Sequence, residues 1–118
     1  MAPRHCEWDG MKTKREELAA FLKALSDPTR LRLVMLLGQR GRANRAVAES
    51  GHGPLCVNAL AEKLRLTQSA VSQHLRVLRH AGLVRSVRRG AFVHYSIDKA
   101  EVARRVLLLK ESIGVGRE

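Results

Sequence analysis

The chain has 118 residues, 45% of them apolar but only 3% aromatic, which limits it to one domain with a modest core of Leu, Val and Ala. Twenty-two Lys and Arg against eleven Asp and Glu give a net charge of +11, an excess that points to a polyanionic partner. There is no run of about eighteen apolar residues, no apolar signal-type stretch at the N-terminus and no bulky basic amphipathic helix, so the sequence argues against a membrane partner and predicts a cytoplasmic address.

Residues 1–11 read as a flexible N-terminal arm. Leu18, Phe21, Leu22 and Leu25 form one apolar stripe at helical spacing, which predicts a first helix from about Lys12 to Leu25. Asp27 is a good N-cap and Pro28 suits a first helical position, so a second helix is expected from Pro28 to Leu37. Its Leu31, Leu33, Val34, Met35, Leu36 and Leu37 are apolar nearly all round, the pattern of a buried central helix. Gly38 to Pro54 holds four glycines in seventeen residues and reads as a surface insertion, with a short helix at Ala43–Glu49 inside it.

A third helix is predicted over Val57–Leu64, with Val57, Leu60, Ala61 and Leu64 on one face. Arg65-Leu66 makes a turn, Thr67 caps a fourth helix from Gln68 to about His80, and Gly82 ends it in the left-handed conformation. A short helix, a tight turn and a capped second helix make a helix-turn-helix. A hairpin follows, Leu83–Arg88 and Ala91–Ile97 about a turn at Arg89-Gly90, with Val93, Tyr95 and Ile97 alternating. Asp98 caps a closing helix to about Ile113, striped by Val102, Val106, Leu109 and Ile113. The expected fold is therefore mostly α with a small β-hairpin, a winged helix-turn-helix over residues 12–113, with a tail at 114–118. The stripes Leu18, Phe21, Leu22, Leu25 and Val102, Val106, Leu109 exceed what so small a module covers. Pairing them across a two-fold axis predicts a homodimer.

From Lys63 to Ile97 there are seven Lys and Arg and no acid, whereas a solvated surface mixes signs, so this segment is the expected contact surface. On the fourth helix Val71, Leu75 and Leu78 cluster within about 60° and face inward, leaving a short, polar and cationic set outward. Gln68, Ser69, Ser72 and Gln73 are assigned to base edges of double-stranded DNA, and Arg76 to a base or phosphate. Arg88 and Arg89 at the wing tip suit phosphates or a minor groove. His74 is expected at the core boundary and His94 as an exposed strand residue. Cys6 and Cys56 lie fifty residues apart, form no CxxC pair, and predict two reduced thiols. With no acid/base constellation around either thiol, an enzyme is not expected.

Leu22-Lys23-Ala24-Leu25-Ser26-Asp27-Pro28-Thr29-Arg30-Leu31-Arg32-Leu33 resembles the opening signature of the ArsR/SmtB family of bacterial regulators. Leu60-Ala61-Glu62-Lys63-Leu64, Thr67 through Leu75, and Leu78 to Val84 resemble its DNA-reading core, and the wing with Tyr95-Ser96 also fits. The resemblance covers about residues 16–110 apart from the insertion. It implies a dimeric winged-helix repressor, released from its operator by a metal, a metalloid or a thiol-reactive signal. The family's metalloid motif carries two cysteines one residue apart at the start of the third helix. Here Cys56 occupies the first position and Asn58 the second. The family's other site uses histidines on the closing helix, which has none here. Some relatives add an N-terminal cysteine across the dimer, a part that Cys6 would play. The resemblance thus implies a soft metal ion or metalloid at Cys56 and Cys6, where a helix N-terminus favours thiolate. Two alternatives stay open: a winged-helix regulator with no metal or thiol sensing, and a general architectural nucleic-acid binder.

Overall fold

A computed structural model describes residues 2–42 and 56–116, with side chains from 13–39 and 56–116 except Arg89. The expected helix at Ala43–Glu49 lies outside the described residues. The element order is α1 (Ala2–Leu25), α2 (Pro28–Arg42), α3 (Val57–Leu64), α4 (Gln68–His80), β1 (Val84–Arg89), β2 (Phe92–Ile97) and α5 (Lys99–Ile113). The two strands form an antiparallel hairpin, with Val84 opposite Ile97 and Arg89 opposite Phe92.

Three elements differ in extent from the sequence reading. The segment expected as an irregular arm is helical from Ala2: Pro3 sits in the first turn, where its missing N–H has no partner to lose, and only Gly10 weakens the helix before Lys12. α2 continues beyond Leu37 to Arg42, taking the start of the expected insertion with it. The hairpin shifts by one residue, so that Gly90 and Ala91 form the turn and Gly90 takes the positive φ of +62°.

The helix junctions are closed by local polar groups. An Asp27 carboxylate oxygen accepts from the Arg30 backbone N–H at 3.0 Å, capping α2. Arg30 Nε reaches back to donate to the Ala24 carbonyl at 2.7 Å, satisfying one of the last carbonyls of α1. Between α3 and α4, Arg65 adopts φ +56° while Leu66 N–H donates to the Ala61 carbonyl at 2.9 Å. Thr67 Oγ1 then accepts from Ala70 N–H at 3.1 Å and starts α4.

Leu33, Leu60, Val71, Leu75, Leu78 and Leu83 are the most deeply buried side chains, drawn from α2, α3, α4 and the root of the hairpin. Each such side chain contributes about 1.5–3 kcal/mol relative to exposure. α2 is not buried all round as its sequence suggested. Leu33 and Leu37 are buried, but Leu31 and Met35, four residues apart, are 43% and 55% exposed. One layer of neighbours covers one face of a helix, and its outer face stays open. Among the described residues, no helix is long and apolar enough to cross a membrane.

Candidate nucleic-acid interface

α4 is built to stand fixed with one face open. Val71, Leu75 and Leu78 anchor it in the core. Gln68, Ser69, Ser72, Gln73, Arg76, Arg79 and His80 are all exposed. The N-terminal end is set by Thr67. The C-terminal end closes in a Schellman motif, in which Leu83 N–H donates to the Leu78 carbonyl and Gly82 N–H to the Arg79 carbonyl, both at 2.9 Å. Gly82 has φ +79°, the backbone state that this closure needs and that a side chain resists.

The wing stands beside this helix. Arg79 Nη1 donates to Ser86 Oγ at 3.3 Å, joining α4 to β1. Arg88 is exposed near the tip. Arg89 is the last residue of β1, opposite Phe92, and its side chain lies outside the described residues. The described ion pairs lie between α1 and α5, from Glu17 to Arg104 and Arg105, or within α5, from Glu101 to the same two arginines. Arg76, Arg85 and Arg88 thus have no acidic partner among the described residues. These free guanidiniums, beside short polar side chains on an exposed helix, are suited to phosphates and base edges.

The sequence reading missed Phe92, which is 59% exposed at the wing tip. Its signal was present, since Phe92 is out of phase with the inward Val93, Tyr95 and Ile97 and shares the opposite face with His94. Arg105, which bonds the end of α4, left no signal at all. His74 is half-buried at the core boundary, where the sequence reading put it. His94 is half-buried rather than exposed, because a backbone bridge pairs it with Cys56.

Cys56 occupies the N-cap position of α3, where its side chain makes no capping hydrogen bond. Cys6 falls within α1, but its side chain lies outside the described residues, as do those of His5 and Glu7. Among the described residues, no group of three or more His, Cys, Asp and Glu is placed to hold a metal. Of the side chains expected at a dimer interface, Leu18 and Phe21 bury into their own chain at 8% and 3% exposure, Leu25 and Val102 pack partly against the core, and Leu109 is half-buried. Leu22 and Val106 remain exposed, at 44% and 42%.

Comparison with known proteins agrees with this geometry. The pattern of the bacterial regulatory protein, arsR family, matches residues 45–86. The HTH-type transcriptional regulator NmtR of Mycobacterium tuberculosis is 39% identical over 97 residues, covering 82% of this chain and 68% of that one. The arsenical resistance operon repressor of Bacillus subtilis is 33% identical over 94 residues, covering 77% and 78%. The solution structure of a homodimeric winged helix-turn-helix DNA-binding domain from Mycobacterium bovis matches with a TM-score of 0.66 at 26% identity, covering 90% of this chain and 86% of that one. An exposed, doubly anchored helix beside a basic wing, in a sequence with these relatives, makes the chain a member of the ArsR/SmtB family of winged helix-turn-helix DNA-binding transcriptional regulators, not an enzyme.

Proposed function

We propose that the chain acts as a homodimeric repressor whose operator contacts are made by Gln68, Ser69, Ser72, Gln73 and Arg76 in the major groove and by Arg88 and Arg89 at the wing. The observation that carries this reading is the open face of α4, where Gln68, Ser69, Ser72, Gln73, Arg76, Arg79 and His80 are exposed beside Val77 and no acid occurs. Release from DNA is assigned to a thiol-directed signal, a soft metal, metalloid or oxidant, acting at Cys56.

Two features support Cys56. It caps α3 and is bridged to His94 of β2, so a group bound to its thiol would sit where the helix-turn-helix meets the wing. Three relatives are named for arsenic or arsenical resistance. The described residues alone do not fit a closed metal site: Cys56 offers one soft thiolate and His94 one borderline imidazole, and a tetrahedral centre takes about four donors. The remaining donors must come from elsewhere, and Cys6 of the second protomer is the thiol available for it.

A duplex selected by the wild-type protein from a random library, then titrated with arsenite, cadmium and diamide, tests both parts. Wild type should select an inverted repeat and be released by at least one agent, while Cys56→Ser should bind as tightly and resist release. Failure to select any sequence removes the operator reading. Equal release of wild type, Cys56→Ser and Cys6→Ser, or no release of wild type, removes the thiol.

A further inference from the structure

We infer that Arg105 is a positioning residue for DNA recognition: from α5 it grips the C-terminal end of the reading helix and fixes the angle at which α4 presents its bases-facing side chains. The inference rests on the assignment of α4 as the reading helix. Its own content is that recognition depends on a side chain that touches no DNA.

The Schellman closure satisfies the carbonyls of Leu78 and Arg79, and Ala81 N–H takes the Val77 carbonyl. Arg105 Nη1, twenty-four residues away in sequence, donates to the Ala81 carbonyl. The other edges of the same fork face carboxylates: Nε lies 3.5 Å from a Glu17 oxygen on α1, and Nη2 lies 3.5 Å from a Glu101 oxygen on α5. One half-buried guanidinium, its side chain only 13% exposed, thus joins α1, α4 and α5. Arg104 completes the cluster by pairing with both Glu17 and Glu101. A lysine ammonium is a point charge and has no planar fork to serve three directions at once.

Gly82 shows how closely the fork is seated. A Cβ at that position would lie 2.6 Å from Arg105 Nη1 and 2.7 Å from Nη2. A side chain here would thus be strained by the positive φ and would also displace the guanidinium from its seat. Leverage makes the grip consequential. The thirteen residues of α4 span about 20 Å, so a rotation of about 3° at the gripped end moves the Gln68 end by about 1 Å. Hydrogen bonds to base edges do not survive a displacement of that size. This side chain is a direct route by which a movement of α5 reaches the C-terminal end of α4.

The test compares Arg105→Met, Arg105→Lys and Glu17→Gln with wild type. Affinity is measured for the duplex that wild type selects and for a scrambled duplex of equal length, at a temperature where each variant is fully folded by circular dichroism. A purely structural tie would lower Tm and leave the ratio of the two affinities unchanged in the folded protein. The positioning role predicts a ratio about tenfold lower for Arg105→Met, the size of one lost base contact. Arg105→Lys should fail to restore it, and the salt dependence on the scrambled duplex should be unchanged because no phosphate contact is removed. If Arg105→Met does not fold, Arg105→Lys and Glu17→Gln decide by the same ratio, and a ratio equal to wild type in the folded variants overturns the inference. A wild-type protein with no selected duplex would instead overturn the assignment of α4 itself.

Discussion

Arg76 and Gln73 occupy the same exposed face of α4 yet should behave differently when truncated, because one carries charge and the other a directional pair of hydrogen-bonding groups. Arg76 has no acidic partner among the described residues, so its charge is available to a phosphate. Arg76→Ala should weaken binding to all duplexes alike and reduce the slope of log affinity against log salt by about one unit, since one fewer counterion is released. An unchanged slope in a folded variant would remove Arg76 from the interface. Gln73→Ala should leave the slope as it is and relax preference at one operator position, at a cost of about 1–3 kcal/mol. A selection profile identical to wild type would leave Gln73 with no base to read.

Among the described residues, two helix junctions carry carboxyls whose ionised form the fold favours. Hydrogen bonding from Arg104, with further help from Arg105, holds the Glu17 carboxyl below its ordinary 4.5 and ties α1 to α5. The Arg30 backbone N–H holds Asp27 below its ordinary 3.8 at the start of α2. A carboxyl whose folded value is depressed adds stability that is present above its unfolded value and is lost as pH falls through the folded one. Tm should therefore be insensitive to these two groups near neutral pH and fall below about pH 4.5. Glu17→Gln and Asp27→Asn should each flatten that acid limb, and an acid limb unchanged in both variants would place the acid-sensitive carboxyls elsewhere. The Asp27 cap, the Thr67 cap and the whole of α3 and α4 were legible in the sequence because their determinants lie within a few residues of one another. The exposed face of α2 was not, because an apolar run does not say how many neighbours will cover it. The Arg105 grip was illegible for a related reason: Glu101 lies at a helical spacing from it, but the partners that tie it to α4 and α1 are 24 and 88 residues away in sequence, and no local spacing encodes them.

In the molecule as a whole, the helices that carry the Glu17–Arg104–Arg105 cluster also carry uncovered apolar side chains. Leu22 on α1 and Val106, Leu107 and Ile113 on α5 are between 42% and 64% exposed. α5 contributes no fully buried residue to its own chain. A second copy is the occupant that fits, because a two-fold axis sets each apolar stripe against apolar surface, as in an isologous interface, and a homodimeric structural neighbour has the same fold. Operators of two-fold helix-turn-helix proteins place their half-sites about one turn of DNA apart, roughly 34–36 Å, and a dimer paired this way would have to match that spacing. Val106→Glu places an unpartnered charge in that interface while leaving the chain's own core untouched, since Val106 takes no part in it. The variant should keep its helical circular dichroism, sediment as a monomer and lose affinity for an inverted repeat while retaining weak binding to a single half-site. Phe21→Glu provides the contrast. Phe21 is 3% exposed within one chain, so its replacement should abolish the fold itself rather than release folded monomers. A folded Val106→Glu protein that sediments as the wild-type dimer would move the interface off α5, and with it the route by which a second protomer could act on the grip at Ala81.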